Sequence, residues 1–303
     1  MNTSLRSRFL DLQALAAVAH MRFTTRQRIE GSYSGRHPSR RQGGAGEFVD
    51  FREYSGGEDL RRLDWKVYGR TGKAFVRLHQ DETNLLCTLA IDASGSMRFG
   101  AKSARDASGS KLDYAQYLAT ALSYVIQQGQ DQVGVALLRG AVDEYLPPGG
   151  TSLHVARVQE IIEQADVRPT LNLAPALRAL FERSTQRGVL MLMSDFLAED
   201  FTDVCAALRL FRHRGWEVIA LHLVHPREER LPDGMAFRFE GMEAEGEVSC
   251  SPAEIRAAYG ERFAAHLAAV RQGVLAVGCE YRLVSTAINY KQVLGGFLVE
   301  RSG

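Results

Sequence analysis

From Leu85 onward the chain alternates between two patterns of apolar positions. Five runs are almost continuously apolar: Leu85–Ile91, Gln132–Leu138, Gly188–Met193, Glu217–Val224 and Glu280–Val284. Stretches with apolar residues at helical spacing predict helices over Lys111–Gln128, Ser152–Gln164, Asn172–Arg183, Asp200–Arg214 and Pro252–Arg271. Unbroken apolar runs are what parallel strands covered on both faces require. The rhythm of strand and helix therefore predicts an α/β fold with a doubly wound, mostly parallel sheet. Two pieces depart from it. "AVDEYLPP" follows its predecessor strand across Arg139-Gly140 alone, too short a link for a parallel crossover, so it predicts one antiparallel edge strand. "MAFRFEGMEAEGEVSC" predicts a hairpin turning near Glu243–Gly246, inserted before the last long helix.

The front of the chain reads differently. Leu10–Met21 has helical spacing, Gly31–Gly46 is a Gly, Ser and Arg loop, and "EFVDFREY" and "KAFVRLHQ" are strand-like. "GGEDLRRLDWK" (Gly56–Lys66) predicts a salt-bridged turn with Trp65 as its packed anchor. Residues 1–80 hold fifteen Lys and Arg against eight Asp and Glu, although the whole chain totals 37 against 36. The division expected is a small basic N-terminal extension over residues 1–83, packing on a body over residues 84–303.

A formal charge of +1 gives no global field that calls for nucleic acid or a membrane surface. Arg36, Arg40 and Arg41 lie in the front loop without the interleaved aromatics that stack on bases, so a solvated loop is expected there. The four cysteines are far apart, with no C-x-x-C pair, which fits a reducing compartment. No run approaches the ~20 apolar residues of a membrane span, and Asp11 and Gln13 interrupt any signal-peptide core. A cytoplasmic location is the expectation.

The chemistry concentrates at strand ends. In "LLCTLAIDASGSM" a buried strand runs into Asp92, followed at spacings of two by Ser94 and Ser96; in "GVLMLMSDFLAED" another ends at Asp195. Ligands of open α/β sheets bind beyond the carboxyl ends of the strands. If these two strands are neighbours, two carboxylates and two hydroxyls converge there. Such an all-oxygen set suits Mg²⁺ or Mn²⁺. Serine ligands are neutral, so the cation would keep attraction for a carboxylate from another molecule, through a vacancy expected to face solvent. The competing reading is plain: Asp or Ser after a strand often caps the next helix. No G-x-S-x-G, G-x-x-x-x-G-K-[ST] or H-E-x-x-H motif is present. His222 lies in an apolar strand and reads as a satisfied core residue. A metal-dependent hydrolase built on Asp92 and Asp195 would need a general base, and none is evident in the sequence near them.

The D-x-S-x-S spacing of Asp92, Ser94 and Ser96 resembles the metal-ion-dependent adhesion site of von Willebrand factor A domains. "GGAGEFVDFREYSGGEDLRRLDWKVYGRTGKAFVRLHQDE", "IDASGSM", "MSDFL", "LVHPREERLPD" and "IRAAYGERFAAHLAAVRQGV" together resemble a bacterial domain-of-unknown-function family, number fifty-eight. The resemblance implies a sheet of von Willebrand A type and a partnership with a MoxR-type AAA+ ATPase and its client protein, in protein-complex maturation. It also implies a further threonine ligand. Chain order favours Thr170 in "RPTLNLAPAL", with Thr151 in "GGTSL" as the alternative. The function expected is a non-enzymatic, metal-dependent protein-binding adaptor. A hydrolase, or nucleic-acid binding through the basic front, are the rivals.

Overall fold

The computed structural model describes residues 9, 23–25, 37–38, 47–55, 63–80, 82–100, 109–168, 173–198, 200–234, 236–243 and 246–302. The expected helix over Leu10–Met21, most of the Gly31–Gly46 loop with Arg36, Arg40 and Arg41, the charged stretch Gly56–Arg62, and Thr170 lie outside them. The chain forms two compact units, one of Thr25–Leu85 and one of Met1–Thr24 with Leu86–Gly303.

In the smaller unit β1 (His37–Pro38) pairs antiparallel with β4 (Glu82–Thr83), and β2 (Glu47–Glu53) with β3 (Phe75–Gln80). Before β3 comes a short helix, α1 (Trp65–Thr71). Asp64 is its N-cap: one carboxylate oxygen accepts from the backbone N–H of Lys66 at 2.9 Å and of Val67 at 3.2 Å. Trp65 is not the packed anchor that the sequence predicts. It is 62% exposed, against 5% for Asp64, and makes an edge-on ring contact to Tyr68 at 6.2 Å. The cap explains this, because burying Leu63 and Asp64 turns the first helical position outward. Trp65→Ala should therefore change stability by no more than about 0.5 kcal/mol, whereas Asp64→Ala should cost about 1 kcal/mol. Urea midpoints of the two variants check this; a loss of several kcal/mol on removing Trp65 would contradict it.

The larger unit is built on one six-stranded sheet. Its strands are β5 (Leu86–Asp92), β6 (Gln132–Leu138), β7 (Val142–Gly149), β8 (Val189–Ser194), β9 (Glu217–Val224) and β12 (Glu280–Ser285), in the order β12-β9-β8-β5-β6-β7. All neighbours are parallel except β7, which runs antiparallel to β6 at the edge, as the two-residue link requires. The hairpin also forms, as β10 (Phe237–Glu240) against β11 (Glu247–Cys250). The helices are α2 (Lys111–Gln128), α3 (Ser152–Glu163), α4 (Leu173–Arg183), α5 (Phe201–His213), α6 (Pro226–Glu229), α7 (Pro252–Ala276) and α8 (Tyr290–Ser302). Helices α4, α5 and α7 cover one face, where Leu177, Leu208, Phe211 and Val274 join Ala90, Leu192 and Trp216 in a fully buried core. Helices α2, α3 and α8 lie on the other face. Among the described residues no helix is long and apolar enough to cross a membrane.

The strand order places the site. From β5 the chain moves to β6 and β7 on one side, then returns to β8, β9 and β12 on the other. The direction reverses between β5 and β8, and the carboxyl ends flanking such a reversal are where open α/β sheets leave a crevice. Asp92 ends β5, and Ser194, the last residue of β8, directly precedes Asp195.

Candidate functional site

Asp92 sits at the end of a strand whose last six residues are fully buried, so its carboxylate cannot turn to solvent. One oxygen accepts from the backbone N–H of Ser94 at 2.9 Å, and the other from the Ser194 hydroxyl at 2.5 Å. The Ser94 and Ser96 hydroxyls face each other at 3.0 Å. Asp195 lies across the β5–β8 junction: Oδ1 accepts from Leu197 N–H at 3.1 Å, and its side chain also bonds Ser96. Between them Phe196 takes a left-handed φ of 54°, unusual for a bulky residue, and Ser194 Oγ accepts its N–H at 2.9 Å. Asp92, Ser94, Ser96 and Asp195 thus converge, as their spacing predicts.

They do not face solvent as expected. Exposure is 2% for Asp92 and Ser94, 3% for Asp195 and 8% for Ser96. The tip of the β10–β11 hairpin lies over the loop, with Ser96 N–H donating to Glu243 Oε1 at 3.2 Å.

Two further charged residues complete the cluster, and neither stands out in the sequence. Lys111 opens α2 behind a capping box in which Ser110 and Asp113 exchange bonds, and its ammonium is completely buried. It donates to Asp195 Oδ2 at 2.6 Å and to Glu228 Oε1 at 2.5 Å. Glu228 belongs to the single turn α6 beyond β9, where its other oxygen accepts His225 N–H at 2.8 Å. The rim therefore collects side chains from the ends of β5, β8 and β9, three adjacent strands.

The electrostatics follow from burial. Desolvation, then the like charge of Asp195, push the Asp92 carboxyl up to about 7 against the bonds from Ser194 and Ser94. Burial also disfavours the Asp195 carboxylate, but the Lys111 ammonium outweighs it and holds that carboxyl below its ordinary range. Lys111 is held above its ordinary range by Asp195 and Glu228, despite the desolvation that favours losing its proton. It is a buried cation paired with two carboxylates. His222, buried beside Tyr281 with its Nδ1 3.0 Å from the Tyr281 hydroxyl, is pushed down to about 4 by burial and then by His266. It is a neutral core histidine, as the sequence suggests.

Thr151 is remote from this cluster. It caps α3, accepting His154 N–H at 3.2 Å, and follows Gly149, which pairs with Val133 near the far end of β6. Asp92 pairs with Leu138 at the near end. Arg168, two residues before Thr170, does reach the site loop: its N–H donates to Ala93 O at 2.9 Å.

The donor set is all oxygen, the kind that hard divalent cations take. With all groups ionised, Asp92, Asp195 and Glu228 set three negative charges against the one positive charge of Lys111, a deficit that one divalent cation fills. Among the described residues no group of three or more His, Cys, Asp and Glu is arranged around a metal position. A cation here would thus rest on Asp92, Asp195, the two serine hydroxyls and water, as magnesium sites commonly do.

Comparison with known proteins agrees on the family. The family described as "Protein of unknown function DUF58" matches residues 50–269. Uncharacterized proteins of Mycobacterium tuberculosis and Mycobacterium bovis are 30% identical over 232 residues, covering 76% of this chain and 71% of theirs. Among solved structures, an aerotolerance-related membrane protein from Bacteroides fragilis is 20% identical, with a TM-score of 0.46, over 71% of this chain and 98% of its own. BatB from Bacteroides thetaiotaomicron is 15% identical with the same TM-score and coverage.

Proposed function

This chain belongs to the DUF58 family of unknown function, and on that premise we propose that it is a non-enzymatic adaptor that docks a partner protein through a divalent cation at the sheet rim. The observation that carries this reading is the convergence of Asp92, Ser94, Ser96 and Asp195 at the β5–β8 reversal. We read the sheet as one of von Willebrand A type. Asp92, Ser94, Ser96 and Asp195 would hold Mg²⁺ or Mn²⁺, with Thr170 as a further ligand. When bound, the cation supplies attraction for an anionic oxygen of the partner. The chain's own residues do the rest. Ser194 orients Asp92, Lys111 positions Asp195, and the buried setting strengthens charge interactions relative to bulk water. Ser94 and Ser96 bond each other and the two carboxylates, which gathers four oxygen-bearing side chains at one point. The partner we propose is a MoxR-type AAA+ ATPase with its client protein, in the cytoplasm.

A pull-down from the native cell extract tests this, with Mg²⁺ or with chelator. The AAA+ ATPase should co-purify with the wild type in Mg²⁺. Both chelator and the double variant Ser94→Ala/Ser96→Ala should remove it. A complex that survives both places the docking surface away from the rim.

A further inference from the structure

The β10–β11 hairpin stands apart from the six-stranded sheet, and its strands are largely exposed, Val248 at 63%. A two-stranded hairpin is marginal alone, so its position depends on where it docks. Its tip docks on the D-x-S-x-S loop at close range. A Cβ added to Gly95 would lie 2.2 Å from the Met242 carbonyl oxygen, closer than real Cβ atoms come, and 3.0 Å from Glu243 Cγ. Only glycine admits the tip here. Beside it, Glu243 Oε1 takes the Ser96 N–H at 3.2 Å, between an N–H and a carboxylate, which makes the bond charge-assisted. The loop beneath it is nearly inaccessible.

We infer that the hairpin is a self-occluding arm, with Glu243 as the chain's own carboxylate standing where a partner's acidic side chain would dock. The consequence for docking rests on the function proposed above; the closed arm itself does not. Because Glu243 is tethered, it competes at a high effective concentration. A partner must present an Asp or Glu and displace the arm to reach the rim, so binding is gated by withdrawal of the arm.

Hydrogen exchange on the full chain tests the arm without metal. In metal-free protein, amides of β10, of β11 and of Ser96 should exchange about tenfold faster or more in Glu243→Ala, which loses the charge-assisted bond. Gly95→Ala, which pushes the tip away by the clash with the Met242 carbonyl while keeping the Glu243 carboxylate in the chain, should do the same. Unchanged exchange in both variants overturns the arm. The second measurement uses Mn²⁺ alone as probe. Water-proton relaxation of the Mn²⁺-loaded protein should rise in Glu243→Ala, as a position closed to water opens. Faster exchange with unchanged relaxation refutes Glu243 as the occupant. If the wild type binds no Mn²⁺, the docking function fails, and exchange still decides whether the arm is closed.

Discussion

Replacing Lys111 with methionine is expected to destabilise the protein by about 3–5 kcal/mol, the usual cost of removing one partner from a buried ion pair. Methionine keeps the unbranched stem and so leaves little cavity. What it removes is the ammonium between Asp195 and Glu228, whose side chains are only 3% and 13% exposed and so largely shielded from water. The variant is left with two neighbouring carboxylates and no counter-charge. Urea denaturation at neutral pH measures the loss. Adding Asp195→Asn to Lys111→Met should recover part of it by removing one of the stranded charges. A loss under about 1 kcal/mol would mean that the cluster is solvated and weak.

Arg301→Met should cost a similar 3–5 kcal/mol at the opposite end of the sheet. This arginine, in the last turn of α8, donates to Glu217 at 2.6 Å and Glu280 at 2.7 Å, at the starts of β9 and β12. It also donates to the Thr24 carbonyl at 2.8 Å, with its guanidinium 4.9 Å from the Phe23 ring centre. Losing it leaves α8 held by Leu294, Phe297 and Leu298 and by the Arg282–Glu300 pair, without its buried ionic tie to the sheet. The effect carries a pH signature. Burial disfavours the Glu280 carboxylate, but bonds from Arg282 and Arg301 outweigh it and hold the carboxyl below its ordinary 4.5. A carboxyl lowered on folding stabilises above its unfolded value and loses that contribution as pH falls through the folded one. The gap between wild type and Arg301→Met should thus be widest near neutral pH and shrink below about pH 4.5. A gap that stays constant with pH would assign the arginine's contribution to packing alone.

The parallel strands were legible because burial on both faces writes them as unbroken apolar runs; β6 and β9 fall where the pattern sets them. Link length alone revealed the antiparallel β7. The helix α8 was missed because Gly295 and Gly296 lower its helix propensity, although Leu294, Phe297 and Leu298 carry helical spacing. At the site, the short-range pattern D-x-S-x-S was visible and its closure was not. Lys111 is, in the sequence, simply the first residue of a predicted helix; its burial depends on Asp195 and Glu228, 84 and 117 residues away. The cover provided by Met242 and Glu243 is likewise a long-range event, 147 residues from Ser96, and only Gly95 hints at a close approach. Trp65 failed for a local reason, since a cap at Asp64 decides which way the next side chain points.

Titrating metal-free protein with Mn²⁺ or Mg²⁺ in a calorimeter, for the wild type and Asp92→Ala, tests the central claim most directly. The rim should bind one ion per chain, and at a hundredfold excess over Kd the ion should add about 2.7 kcal/mol of stability. Asp92→Ala should stay folded and lose both the binding and the stabilisation. A wild type that binds no ion, or a variant that binds as well as the wild type, contradicts a cation held by Asp92, Ser94, Ser96 and Asp195.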